Sequence, residues 1–256
     1  MTLSVRGLEI RFGERQVVAL AELDVADREI VGLVGESGSG KSMTALAVLG
    51  LAGSVGADVS GSIRLGELEL TALSPAAMRD VRGKRIAMIF QNPVSAFNPV
   101  FRVGYIFLRT LRLHGFGKGE ALERARAGLQ EVLLTPDLLD RYPHQLSGGQ
   151  AQRVAIALAA ALRSEVLIAD EPTSALDVTV QAEILELLRG LRQRDGMSIL
   201  MISHDLAVIG QLCDRTVVMR NGTVVEAGPT ASVLGDPQAP YTKELVAAVP
   251  QIGAVA

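Results

Sequence analysis

The chain has 256 residues, with 25 lysines and arginines against 28 aspartates and glutamates, for a net charge of −3. Hydrophobic residues make up 48% and charged ones 21%, which excludes a disordered chain and is enough for one large domain with a substantial core. The mildly acidic balance argues against a protein that lives on nucleic-acid phosphates, and a single cysteine, Cys213, excludes a disulfide framework or a multi-cysteine metal cluster.

Residues 1–6 carry no long apolar run, and charges follow at Glu9, Arg11 and Glu14, so no signal peptide is read here. The longest charge-free stretch, 43–57, is interrupted by glycine, serine and threonine and is too short to span a bilayer. A cytoplasmic protein that reaches a membrane only through a partner is therefore expected.

Segments 3–12 and 16–25 alternate apolar and polar residues and read as strands; 29–34 is a short apolar run, a buried strand. A helix follows over 41–51, then a strand over 61–70 and a helix opened by Ser74-Pro75, with serine as cap and proline in the first turn. Segment 85–90 is another buried strand. Residues 103–140 carry helical spacing instead, as in Ala121, Ala125, Leu129, Val132 and Leu133, and read as a helical insertion. After it helices 149–163, 178–194 and 205–212 alternate with strands 165–169, 197–202 and 215–220, the pattern of a parallel sheet flanked by helices. Asn221-Gly222 predicts a type I′ hairpin turn between 217–220 and 223–226, with a structural role. The fold class is thus α/β: a P-loop core of mainly parallel sheet with flanking helices, antiparallel strands at the N-terminus and an inserted α-helical subdomain.

Gly35-Glu36-Ser37-Gly38-Ser39-Gly40-Lys41-Ser42 matches G-x-x-x-x-G-K-[ST] and lies between a strand and a helix, as that motif requires. Glycines let successive N–H groups converge on phosphate oxygens at the positive end of a helix dipole. Lys41 would reach the β- and γ-phosphates, and the Ser42 hydroxyl would ligate Mg²⁺. The apolar strand ending in Asp170-Glu171 offers one carboxylate for Mg²⁺ through water and a second to orient or deprotonate an attacking water. The plainer alternative is that both acids open a loop before Pro172. Leu146-Ser147-Gly148-Gly149-Gln150 starts an alanine-rich helix and is either an ordinary N-cap or a second anion-binding device. Two phosphate-binding helix starts in one chain point to two chains, head to tail, each closing the other's site.

The phosphate loop, Leu146–Gln150, the Asp170-Glu171 strand end, Ser174-Ala175-Leu176-Asp177, Gln91 and His204 occur in the order and context of an ABC-transporter ATPase, and the chain resembles that family from residue 3 to about 228. The resemblance implies ATP and Mg²⁺ as ligands, with ATP held by Gly35, Glu36, Ser37, Gly38, Ser39, Gly40, Lys41, Ser42 and Met43. It implies catalytic roles for Glu171, His204 and Gln91, and Mg²⁺ contacts for Ser42, Gln91 and Asp170. Ser147, Gly148, Gly149, Gln150 and Asp177 would act on the partner's nucleotide. Phe12 is divided between adenine stacking and ordinary strand packing, because aromatics favour strands anyway. His204 and Gln91, taken alone, could equally start a helix and end a strand. His114 and His144 are read as surface or packing residues and Cys213 as a small core residue.

Phe90-Gln91-Asn92-Pro93, Asn98-Pro99, Val103-Gly104, the segment Asp170–Gln181, Tyr142-Pro143 and Pro240-Tyr241-Thr242 are similar to the importer ATPases for oligopeptides, dipeptides and nickel. The lack of a C-terminal cysteine cluster leans toward the nickel or metallophore branch or a short peptide member. Through the resemblance the expected partners are a second ATPase subunit, identical or homologous, two transmembrane permeases and, indirectly, a solute-binding protein, at the cytoplasmic face of the cell membrane and without nucleic acid. The domain reading is a single ABC ATPase domain over 1–256. Its core is 1–92 with 164–228, its helical insertion about 93–163, and its short tail 229–256. Alternatives are a soluble ABC-type ATPase of repair or translation, which would need heptads or a tandem cassette, and a non-catalytic regulatory cassette, against which Glu171 and His204 argue. A P-loop GTPase or small-molecule kinase would not need Leu146–Gln150, and no Asn-Lys-x-Asp guanine-reading stretch is present.

Overall fold

The computed structural model describes residues 2–174 and 176–248; Met1, Ala175 and the end of the tail, 249–256, lie outside the described residues. In chain order they form β1 (Leu3–Phe12), β2 (Arg15–Val25), β3 (Ile30–Val34), α1 (Lys41–Val48), β4 (Asp58–Leu65), β5 (Leu68–Glu69), α2 (Pro75–Val81), β6 (Ile86–Ile89) and α3 (Pro93–Ala96). There follow α4 (Val103–Leu113), α5 (Lys118–Glu131), α6 (Gly148–Leu162), β7 (Val166–Asp170), α7 (Val178–Asp195), β8 (Ser198–Ser203), α8 (Leu206–Leu212), β9 (Arg215–Arg220), β10 (Thr223–Pro229), α9 (Thr230–Gly235) and α10 (Pro240–Ala247). They divide into two compact units, Met1–Ala72 with Leu200–Ala256, and Leu73–Ile199.

In the first unit an antiparallel sheet runs β2-β1-β4-β5. Alternation along β1 buries Leu3, Val5, Leu8 and Ile10, which face Val25, Leu23, Leu20 and Val18 of β2 in register. Each such side chain contributes about 1.5–3 kcal/mol on leaving water. On the outer face Arg6 pairs with Asp24 at 2.6 Å. The strand expected over 61–70 is instead two strands joined at Gly66-Glu67, and Leu70 donates its N–H back to the Ile63 carbonyl at 2.7 Å. The apolar alternation changes phase between Leu65 and Leu68, which marks the turn.

Beside this sheet's residues the same unit holds β3, buried at every position and parallel to β9 from Val31↔Arg215 to Val34↔Val218. The Asp214 carboxylate accepts the Ile30 N–H at 2.9 Å, and Arg215 pairs with Glu29 at 2.9 Å, so the start of β3 is fixed to the start of β9. Positive φ at both Asn221 (49°) and Gly222 (81°) makes the β9–β10 connection the expected I′ turn. Cys213 is buried, and burial with the neighbouring Asp214 charge pushes its thiol far above the thiolate range. Residues 229–248, read from sequence as a tail, form α9 and α10. Thr230 ties α9 down: its N–H reaches the Asp214 carbonyl at 3.0 Å and its hydroxyl meets that of Thr216 at 2.9 Å.

In the second unit β6 and β7 pair in parallel from Ile86↔Val166 to Ile89↔Ala169, and Arg85 grips Glu165 through two bonds of 2.7 and 2.8 Å at their common start. The expected helical insertion is present. Val103, Phe107 and Leu111 give α4 a buried stripe at i, i+4, i+8, and Ala121, Ala125 and Leu129 do the same for α5. Small residues let α5 and α6 approach closely: a Cβ placed at Gly128 would lie 3.0 Å from the Ala157 carbonyl oxygen. The mixed α/β architecture with antiparallel N-terminal strands is therefore as the sequence predicts.

Candidate nucleotide site

The phosphate loop lies in the first unit, where the buried β3 delivers the chain into Gly35. Gly35 has φ +150°, and a Cβ there would fall 2.1 Å from the Met219 carbonyl oxygen, so only glycine lets the loop leave the strand this way. The loop closes on Lys41, only 7% exposed, whose ammonium donates to the carbonyls of Gly35 (2.7 Å) and Glu36 (2.8 Å) and to Ser39 Oγ (3.2 Å). The loop has thus folded around a cation in the place where phosphate oxygens would meet it. α1 then starts at Gly40 with no side chain capping it and no acidic residue in its first turn. First-turn N–H groups at an uncapped helix start, with the dipole behind them, favour an anion. Glu36, Ser37, Gly38 and Ser42 are exposed around this cradle, and Met43 is half-buried in the first turn.

Two elements remote in sequence brace the loop. Gly222, in the hairpin turn, donates its N–H to the Ser39 carbonyl at 3.0 Å and accepts from the Ala19 N–H at 2.8 Å. A Cβ at Gly222 would sit 2.5 Å from the Val17 carbonyl oxygen. The Glu36 N–H donates to the Tyr241 hydroxyl of α10 at 3.1 Å. The turn signal was legible in sequence, but its bond to the loop was not, and the resemblance singled out Pro240-Tyr241-Thr242 without giving Tyr241 a task. His204 stands exposed just after β8, where Asp205 caps α8 by accepting the N–H groups of Ala207 (2.8 Å) and Val208 (3.3 Å). Helix capping in this segment is thus done by Asp205. Phe12 ends β1 and is 38% exposed, outside the core its strand builds.

In the second unit Asp170 is the buried last residue of β7, and Glu171 follows it half-buried with φ +50°. A non-glycine residue in the left-handed region costs about 1–2 kcal/mol. Here the Glu171 carbonyl accepts both the N–H (3.2 Å) and the hydroxyl (2.9 Å) of Ser174, which secures the turn. Gln91 is exposed on a bend after β6, and Asn92 caps the short α3 through the Ser95 N–H at 3.3 Å.

Ser147 begins α6 in a capping box: its Oγ accepts the Gln150 N–H at 3.2 Å, and Gln150 Oε1 accepts the Ser147 N–H at 3.0 Å. The serine hydroxyl keeps its proton to donate while accepting, so the cap and a phosphate contact are compatible. A Cβ at Gly149 would lie 3.1 Å from Val180 Cγ1, which places the start of α6 against the first turn of α7. Asp177 caps that turn through the Val180 N–H at 3.0 Å and is exposed, as are Gly148 and Val178. Within the first unit the structure gathers Gly35–Met43 around Lys41, and within the second it brings together the starts of α6 and α7.

Ser42 of the first unit and Gln91 and Asp170 of the second each carry an oxygen donor, a hydroxyl, an amide carbonyl and a carboxylate, of the kind a hard Mg²⁺ ion takes. No helix of the described residues is long and apolar enough to cross a membrane.

Comparison with known proteins agrees with a nucleotide-binding chain. The glutathione import ATP-binding protein GsiA of Salmonella typhimurium is 46% identical over 99% of this chain and 43% of its own length. The chain thus spans less than half the length of that relative. A protein of Brucella abortus (strain 2308) named for peptide import ATP-binding is 47% identical over 89% of this chain and 70% of its own length. Among solved structures, cbiO1 from Clostridium perfringens, part of the ABC transporter complex cbiONQ, superposes with a TM-score of 0.80 at 25% identity, covering 92% of this chain and 91% of that one. The cassette MJ0796, solved as a dimer in a post-hydrolysis state with ADP and Pi, gives 0.78 at 26% identity over 89% of this chain and 98% of that one. The family profile described as ABC transporter matches residues 13–174, more than half of the sequence, and the chain belongs to that family.

Proposed function

We propose that this chain is the ATP-binding and ATP-hydrolysing subunit of an importer of short peptides. The observation that carries the reading is the phosphate loop closed around buried Lys41 in a chain that also presents the Ser147 helix start and the Asp170-Glu171 strand end. The relatives named for glutathione and peptide import favour peptides as cargo over nickel or a metal chelate.

In this reading the N–H groups of Gly38 to Met43 receive the phosphates and Lys41 exchanges loop carbonyls for β- and γ-phosphate oxygens. Ser42, Gln91 and Asp170 would hold Mg²⁺, which when bound would offset the charge of the phosphates. Glu171 orients the attacking water and takes its proton; Gln91 and His204 contact the γ-phosphate end. Phe12, already half out of the sheet's core, stacks on adenine. Ser147, Gly148, Gly149, Gln150 and Asp177 serve the nucleotide held by a second cassette, identical or homologous. Exposed Ser147 and Asp177, and Val178 at 83% exposure, support a covered face there, since a bare β-branched residue beside a functional acid suits an interface. Two permeases carry the solute, a solute-binding protein delivers it, and the cassette sits at the inner face of the membrane through those permeases. The whole 1–256 segment acts as one ATPase domain.

The test is ATP turnover of the wild type against Glu171→Gln, with the partner subunits present. The amide keeps size and the left-handed turn but cannot accept the proton, so kcat should fall about 10²-fold or more while ATP binding is retained. Turnover at the wild-type rate in the variant would refute the role of Glu171.

A further inference from the structure

We propose that Tyr241 is a positioning residue for ATP: through its hydroxyl, α10 holds the Glu36 peptide of the phosphate loop in the geometry that receives nucleotide. The proposal rests on the assignment of residues 35–43 as the phosphate loop.

Tyr241 is 3% exposed, and its hydroxyl accepts the Glu36 N–H at 3.1 Å. Its ring lies beneath the Arg220 guanidinium, 4.5 Å from the ring centroid, and Arg220 is the last residue of β9 before the turn whose Gly222 bonds Ser39. The helix that carries Tyr241 is seated by Glu226, whose carboxylate accepts the N–H groups of Gln238 (2.8 Å) and Ala239 (3.0 Å) just before Pro240 opens α10. The buried Thr242 brings its hydroxyl near the same carboxylate without forming a hydrogen bond of normal geometry. Proline at the first helical position and a hydroxyl aimed at the loop give Pro240 and Tyr241 separate tasks.

The reason for such a brace lies in Lys41. In this structure the ammonium holds the Glu36 carbonyl at 2.8 Å while Tyr241 holds the Glu36 N–H. Phosphate oxygens compete for the ammonium, so the carbonyl bonds that shape the loop weaken as nucleotide arrives. The Tyr241 bond engages the N–H of Glu36 from outside the cradle and is not spent in that exchange. It keeps the left-handed glycine path from relaxing, and so lowers the ordering cost of binding. Its loss should appear in nucleotide affinity and KM rather than in turnover at saturation.

The experiment uses the full chain. Tyr241→Phe removes the oxygen and keeps the ring beneath Arg220. The expected result is a Kd for ATP, and a KM with partners present, raised about three- to tenfold, the range of one net hydrogen bond, with kcat within about twofold. The ligand-free unfolding midpoint should stay near wild type while the shift produced by saturable ATP shrinks. Thr242→Val, on the same helix and equally buried, should leave the Kd within about twofold, since its hydroxyl has no hydrogen-bond partner. Wild-type affinity in Tyr241→Phe, or equal losses in both variants, would overturn the role of the hydroxyl. Lys41→Ala separates this from the assignment beneath it: wild-type ATP affinity in that variant would overturn the phosphate loop itself.

Discussion

A Cβ at residue 35 would stand 2.1 Å from a backbone oxygen, that of Met219, and its backbone φ of +150° is open to glycine and few others. Neither the strand nor the facing backbone can yield cheaply, so Gly35→Ala should cost about 2–4 kcal/mol of stability in denaturant unfolding and weaken ATP binding at least tenfold. A neutral result would mean that the loop leaves β3 by another path. At this scale the sequence was informative wherever chemistry dictates residue type. The glycine-lysine-serine motif named Lys41, and the structure finds it buried and embraced by its own loop. Phe12 was undecidable from sequence because an aromatic in a strand serves either face equally well. Plain alternation would put Phe12 on the inward face of Leu8 and Ile10; the register shift between Ile10 and Arg11, at the end of β1, accompanies its exposure instead.

β10 illustrates how an element's irregularity places a side chain. Its register with β9 shifts between Val224 and Glu226, and a bulge of this kind re-aims the residue that follows it. Glu226 is thereby turned to the start of α10. Its carboxyl is held below the ordinary range: burial pushes it up, but the Gln238 N–H, the Thr242 hydroxyl, the Ala239 N–H and the Lys243 charge together outweigh that. A depressed folded value means that the contribution is full above the unfolded pKa, about 4.3, and disappears as pH falls through the lower folded value. Hydrogen-exchange protection of 238–247, corrected for intrinsic rates, should therefore drop as pH falls below about 4. In Glu226→Gln that protection should already be reduced at neutral pH and lose this step. An unchanged acid step in the variant would assign the anchoring to other groups. The long elements were legible because their periods extend over several turns or pleats. The β4–β5 turn, α9 and α10 were not, since six to eight residues carry too little periodicity, and their seating depends on Asp214, Thr216 and Glu226 elsewhere in the chain.

For the whole molecule the consequential feature is a helix start that has more donors than its own cap needs. Ser147 is exposed and uses its oxygen to accept from Gln150, leaving a hydroxyl proton and the N-terminal dipole of α6 directed outward. If this face completes a second cassette's site, a long charged side chain there should block pairing while sparing the chain's own loop. In the Glu171→Gln background, Ser147→Arg should bind ATP within about twofold of its parent yet reduce ATP-dependent pairing at least tenfold by light scattering, in the presence of the partner cassette. Undiminished pairing would place the interface elsewhere. The sequence argument for such a pairing is that two anion-binding helix starts would serve one polypeptide poorly and two polypeptides well.

What the sequence by itself determined was the chemistry and the class of fold. Strand and helix periods, glycine at fixed spacing, and carboxylates at a strand end are local patterns, and each is enforced by backbone geometry within a few residues. Only the tertiary structure decided what supports that chemistry. Glu36 and Tyr241 are 205 positions apart, and the turn at Gly222 meets Ser39 from the far end of the sequence. Such bonds join groups that any tyrosine and any turn would supply. Their pairing follows from the packing of β9, β10 and α10 around the loop, which no local pattern records.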